Sequence, residues 1–155
     1  MPVRIGRIGA QIMYGEVAMS FVITGIYASL LTLLLMVLGA RVSILRLNTG
    51  ISLLDGGNKP LAERMRQHAN LAESLPMAIL LMGIAEVQGA SSTYLHAMGL
   101  ILLVSRLVHP FGISHDNGKL IARPLAATGT AVALLMGIGF ILWRAWETMA
   151  AVPAS

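Results

Sequence analysis

From Val17 to Ala40 the chain runs for 24 residues without a charged side chain. Wound as an α-helix, that segment rises about 36 Å, enough to cross a hydrocarbon core roughly 30 Å thick with some tilt. A cleavable signal sequence would carry a shorter apolar run of about 7–15 residues, so the segment reads as a first spanning helix with Arg41 and Arg46 at its end. Composition extends this reading to the whole chain. Of 155 residues, 56% are hydrophobic and only 12% are charged, where a soluble domain holds about 25% charged. The mean hydropathy is +0.77. The chain is therefore expected to be a small polytopic membrane protein of one domain. It contains no cysteine, which rules out disulfides, thiolate metal ligands and a cysteine nucleophile.

Three further helices follow from the punctuation. Asp55-Gly56-Gly57-Asn58 is a turn signal, and Pro60 suits the first turn of a helix. A second helix is expected from about Leu61 to Gln88, with a polar first half and an apolar stretch from Leu75 to Ala85. Pro76 removes one backbone hydrogen bond and predicts a kink. Gln88 to Ser92 reads as a short polar turn, and Thr93 to Val108 as a third helix, with Pro110 and Gly112 disturbing the backbone after it. Ser114 to Gly118 reads as a polar loop, and Leu120 to Trp146 as a fourth helix whose Trp143 and Trp146 suit an interfacial belt. Four helices with short connections make an all-α, up-down-up-down transmembrane bundle. Residues 1–19 read as an N-terminal tail or extension, 20–147 as the four-helix domain and 148–155 as a C-terminal tail.

The net charge of +4 and the pI near 10.1 do not indicate nucleic acid, because the basic residues flank the apolar segments instead of decorating a soluble fold. Arg41, Arg46, Lys59, Arg64 and Arg66 flank the first loop; Arg106, Lys119 and Arg123 flank the third. Those eight of the eleven basic residues share one side, and Arg4, Arg7 and Arg144 lie on the other. By the positive-inside rule both termini are expected outside the cytoplasm and the basic side within it.

The second helix carries Arg66, Asn70 and Glu73. At about 100° per residue these three fall within roughly 60° of one another. Charge at membrane depth is costly, so such a stripe must face protein, a partner or a ligand. Two readings fit. The residues can brace helices, Arg66 pairing with Glu73 and Asn70 bonding across an interface, or they can hold a polar ligand. Arg106 and His109 likewise stand one turn apart on the third helix. They fit either an interfacial arginine with a carbonyl-satisfied histidine or an anion anchor beside a polar contact. The histidine could also move protons near neutral pH.

Other chemistries find no support. His68, His96 and His115 do not converge as zinc ligands would, and no metal is expected. The ten methionines read as apolar filler. Gly129, Ala133 and Gly137 recur at four-residue spacing and predict close helix packing. The chain has no phosphate loop or nucleophile elbow. Glu73 and Glu86 lie about 20 Å apart on one helix and cannot share an acid–base site.

Arg66-x-x-x-Asn70-x-x-Glu73-x-x-Pro76 resembles the second-helix signature of the MAPEG family (membrane-associated proteins in eicosanoid and glutathione metabolism). Ser105-Arg106-Leu107-Val108-His109-Pro110-Phe111-Gly112 and Arg123-Pro124 are two further similarities. The resemblance spans roughly residues 20–147 and is nearest to the bacterial inner-membrane branch. It implies a homotrimer in the inner membrane with glutathione, as cosubstrate, bound between subunits near the cytoplasmic face. Arg66, Asn70 and Glu73 would bind it, with Arg106 and His109 lining the same site and Arg41 as a further contact. Arg123, early on the fourth helix, is implied as the catalytic residue that favours the thiolate, which would attack a small apolar electrophile arriving from the bilayer. Transferase and peroxidase activity both follow. The rival reading is a noncatalytic protein of the same fold that binds membrane lipid or serves as a scaffold.

Overall fold

The computed structural model describes residues 21–112 and 122–151. They form four helices: α1 (Val22–Thr49), α2 (Lys59–Val87), α3 (Ser92–Gly112) and α4 (Ala122–Ala150). Each is long and apolar enough to cross a membrane, and the described residues contain no strand. The expectations for residues 1–19, for the loop at Ser114 to Gly118 and for His115 lie outside the described residues.

The helix ends follow local chemistry. α1 does not stop at Ala40, where the charge-free run stops. It continues to Thr49 and closes on Gly50, whose φ of 68° is the left-handed conformation that glycine adopts without steric cost. The turn that follows is built by Asp55, whose carbonyl accepts from Asn58 N at 2.8 Å and whose side chain accepts from Gly57 N at 3.1 Å. Asn58 caps α2, its Oδ1 accepting from Leu61 N at 3.0 Å, with Pro60 in the first turn. α2 stays one helix through Pro76. α3 outruns its expected end at Val108 and carries on through Pro110 to Gly112. Gln67 of α2 holds that last turn, donating through Nε2 to the Pro110 carbonyl at 3.0 Å. α4 runs to Ala150, past the expected Trp146.

Around the bundle α1 packs on α2 and α3, while α4 packs on α3 and α2; α2 also touches α3 across the middle. The order around the ring is thus α1, α2, α4, α3. Sequence neighbours run antiparallel: Gly39 faces His68 and Gly83 faces Phe21 between α1 and α2, and Asn70 meets Arg106 between α2 and α3. One end of the bundle therefore gathers the C-termini of α1 and α3 with the N-termini of α2 and α4.

In lipid, apolar side chains gain nothing from leaving water, so helices associate through close packing and polar bonds. Leu31, Met82, Leu95, Met98 and Leu102 are almost fully enclosed. The small residues of α4 act as their spacing predicts. Ala133 is completely buried, a Cβ on Gly129 would overlap the Ser105 hydroxyl, and one on Gly137 would come within 2.9 Å of Leu81 Cβ. Gly99 of α3 leaves room for the Tyr27 ring in the same way. At the far end Tyr94 donates to the Met136 carbonyl at 2.7 Å. Phe140 stacks between Tyr94 and Trp143 there, and Trp143 and Trp146 are exposed, as an interfacial pair should be.

Candidate functional site

The arginine-rich end of the bundle contains a buried cation. Arg106 sits on the inner face of α3 and is only 6% exposed. Its Nη1 donates to Asn70 Oδ1 at 2.7 Å and lies 3.5 Å from the Asn70 carbonyl. Its Nε is buried with no acceptor. No carboxylate pairs with it among the described residues. A guanidinium withdrawn from water and met only by a neutral amide is incompletely compensated, and such a site attracts an anion.

The surrounding residues make a polar seam between α2 and α3. His109 stands one turn beyond Arg106 and is equally buried. Gln67 stands one turn before Asn70 and fastens the end of α3 through Pro110. Pro110 has no N–H and so leaves the carbonyl of Arg106, four residues back, without its helical donor. The seam is therefore rich in carbonyl and guanidinium groups in an otherwise apolar bundle.

The stripe on α2 divides. Asn70 is half-buried and turns to Arg106, whereas Arg66 and Glu73 are exposed. Leu71, Leu75, Ala78, Met82 and Ala85 mark the buried face of α2. By helical geometry Arg66 and Glu73 point roughly 140–160° away from it. They form no ion pair with each other or with any described residue, so the mutual bracing considered for them does not occur within one chain. Above them on the same face Met77, Leu80 and Val87 are exposed. One outward face of α2 thus carries an arginine and a glutamate beneath an apolar strip.

Arg41 is exposed on α1, and its carbonyl accepts from Arg64 Nη1 at 3.0 Å. Arg46 folds back on the following turn, reaching the Ile51 carbonyl and Met65 Sδ, each at 3.3 Å. Arg123 lies in the first turn of α4, but its side chain lies outside the described residues. His68 packs against Gly39, and His96 Nδ1 lies 3.1 Å from the Tyr27 hydroxyl. Among the described residues no group of three or more histidines, aspartates or glutamates could hold a metal ion.

Two residues have roles that the sequence reading did not assign. Gln67 carried a signal, being a polar side chain one turn from Asn70. Glu86 carried a weaker one. It caps a different helix, its two oxygens accepting from Ile23 N at 2.9 Å and Thr24 N at 2.8 Å. The first turn of a helix leaves such N–H groups unsatisfied, and α1 has no side-chain cap from its own N-cap residue, Phe21.

Known proteins match this chain at the level of sequence. The family model described as MAPEG family matches residues 24–143. The inner membrane protein YecN of Escherichia coli strain K12 is 34% identical over 125 residues, which cover 81% of this chain and 95% of the relative. The protein of the same name from Escherichia coli O6:H1 matches to the same extent. No solved structure matches significantly.

Proposed function

The chain belongs to the MAPEG family, and from that premise we propose that it is a multi-pass inner-membrane protein that binds glutathione between copies of itself and transfers the thiolate to apolar electrophiles. The observation that carries this reading is a buried, incompletely compensated Arg106 on one spanning helix together with an exposed Arg66 and Glu73 on another. The first needs an anion. The others need cover that a single chain lacks, and a homotrimer would supply it.

Glutathione has two carboxylates, an ammonium, two peptide groups and a thiol. Arg66 and Arg106 suit the carboxylates, because a planar guanidinium donates two parallel N–H bonds to the two oxygens of a carboxylate. Glu73 suits the ammonium. Asn70, already oriented by Arg106, suits a peptide group, and His109 and Arg41 are further contacts. Arg123 is assigned to the thiol. An unperturbed thiol titrates near 8.5, and an adjacent arginine favours the nucleophilic thiolate. With an electrophile from the bilayer, sulfur forms a bond to carbon and the displaced group takes a proton. With a hydroperoxide, sulfur attacks the peroxidic oxygen, the O–O bond breaks to give alcohol and a sulfenic acid, and a second glutathione thiol displaces that oxygen as water to close the disulfide. The basic end would face the cytoplasm, with both termini outside it.

The test is calorimetric titration of glutathione into the detergent-solubilised oligomer, with Arg66→Ala as control and thiolate absorbance followed in parallel. Saturable binding abolished in the variant, with an increased thiolate fraction, supports the transferase reading. Binding without a thiolate shift points to a noncatalytic member of the fold. No binding by a folded oligomer overturns the proposal.

A further inference from the structure

At the basic end of the bundle α1 outlasts the hydrocarbon. The Glu86 carboxylate, bonded to Ile23 N and Thr24 N, marks the opposite interface at the start of α1. About 20 helical residues cross the apolar core, so the core ends near Ser43. The last turns of α1 and the turn after it therefore stand at headgroup depth. There they enclose a cavity of about 450 Å³ lined by Ser43, Arg46, Leu47, Gly50, Ile51 and Ser52, within the size range of small-molecule sites. None of these residues belongs to α2, so the cavity lies apart from the α2 face assigned to a second copy.

Charge and apolar exposure together identify the occupant. Arg46 reaches the Ile51 carbonyl through Nη1 and the Met65 sulfur through Nη2, each at 3.3 Å. These contacts pin the half-buried side chain without neutralising it. A guanidinium has five N–H donors, so three remain, and no carboxylate pairs with Arg46 among the described residues. From residue 41 to residue 64 four cations, Arg41, Arg46, Lys59 and Arg64, stand against two carboxylates, Asp55 and Glu63, so the surroundings add to the positive field. Ser43 donates its hydroxyl to the Gly39 carbonyl at 3.2 Å and keeps its oxygen to accept, while the exposed Ser52 can donate. Beside these groups Leu47, Leu53 and Leu54 are 83%, 77% and 70% exposed. Leu54 holds a φ of 53°, a left-handed conformation that is costly for a leucine. Bare leucines next to an unpaired cation supply the two signals, apolar and basic, that bind a chain to anionic lipid.

We infer that this corner is a binding site for an anionic glycerophospholipid whose headgroup carries hydroxyls, of the phosphatidylglycerol type. Its phosphate sits on Arg46 and Ser52, a headgroup hydroxyl donates to Ser43, and its acyl chains start at Leu47 and descend the outward stripe of α1. Met36, eleven residues before Leu47 on that stripe, is exposed and lies about 16.5 Å deeper. A zwitterionic headgroup would set an ammonium beside the arginines. A free phosphate would satisfy Arg46 but leave the leucines bare.

The experiment reconstitutes the full chain in phosphatidylcholine nanodiscs with a small fraction of phosphatidylglycerol that carries a photoreactive group high in its acyl chain, and maps the adducts by mass spectrometry. Labelling should concentrate on Ser43–Leu54 and exceed that at Leu135 and Leu142, on an exposed face of α4. It should fall about tenfold in Arg46→Gln, the loss of one charge-assisted contact. It should change little in Lys59→Gln, which removes an equal charge from the same end without lining the cavity. The matching phosphatidylmethanol, an anion without headgroup hydroxyls, should label the wild type about fivefold less, the loss of one hydrogen bond. Ser43→Ala should erase that difference, and because alanine suits this exposed helical position, it carries the test even where Arg46→Gln disturbs the turn. Equal losses in Arg46→Gln and Lys59→Gln would mean general attraction to the surface and overturn the site. So would labelling no stronger than on α4, or labelling that emerges only when the oligomer is dissociated, since a second copy would then fill the cavity. Competition by excess inorganic phosphate would overturn the lipid in favour of a free anion. Arg46→Gln should keep the glutathione titration of the wild type, which separates this site from the glutathione site.

Discussion

Arg106 Nη1 donates to Asn70 Oδ1 at 2.7 Å, and this bond ties α3 to α2 at the basic end while the guanidinium Nε stays unpaired. The bond gives Asn70 two tasks. It compensates part of a buried charge, and it holds its own amide in one orientation.

Removing one partner should hurt more than removing both. Asn70→Leu leaves the guanidinium buried alone and is expected to cost about 3 kcal/mol. Arg106→Met removes the charge along with the bond and should cost less. The double variant should recover much of the loss. Denaturant unfolding in detergent measures the cycle, and glutathione titration of Arg106→Met should show at least about a tenfold weakening, the loss of one charge-assisted contact.

The outward face of α2 should be an interface. Because the chain has no cysteine, Met77→Cys places a single thiol one turn from the unpaired Glu73, on the face that also carries Arg66. Mild oxidation should link pairs of chains through it. Leu142→Cys, on an exposed α4 face that is apolar and fits lipid, should stay monomeric on a non-reducing gel. Equal cross-linking of the two would remove α2 from the interface.

Glu86 should behave as a helix cap supplied from another helix. Glu86→Ala frees two backbone donors at the start of α1 and is expected to cost about 1–2 kcal/mol. Glu86→Gln should lose less, since it keeps an acceptor. Amide exchange at Ile23 and Thr24 should quicken in the alanine variant, with little change near Leu38. A uniform change along α1 would contradict a local cap.

Glycines of this bundle should split by their surroundings. Gly99→Ala drives a methyl into the Tyr27 ring and should cost about 1–3 kcal/mol. Gly25 and Gly139 have open space where a Cβ would go, so alanine at either should be neutral or stabilise by up to about 1 kcal/mol through helix propensity. Thermal unfolding of the three variants in one detergent makes the comparison.

Much of this architecture can be read directly from the residues. Charge-free runs of spanning length specify the helices, because lipid tolerates little else. Asp55-Gly56-Gly57-Asn58 specifies the turn before α2, and the small residues of α4 specify a close contact. Helical periodicity also predicts that Arg66, Asn70 and Glu73 share one side of α2, since that depends on spacing alone. Which of them turns inward does not depend on spacing. Asn70 reaches the interior because α3 brings Arg106 to it, thirty-six residues later in the chain. Arg66 and Glu73 stay outside because the apolar face of α2 lies on the opposite side. The extension of α3 through Pro110 was equally illegible, since a proline near a helix end normally marks a stop, and the extra turn is met by Gln67 from another helix. Glu86 is the same case at the other end, a carboxylate whose partners are backbone groups of α1. Local sequence determined where the helices lie and which polar residues they carry. Tertiary structure decided which of those groups meet, because a buried polar atom takes its partner from whatever helix packing brings within reach.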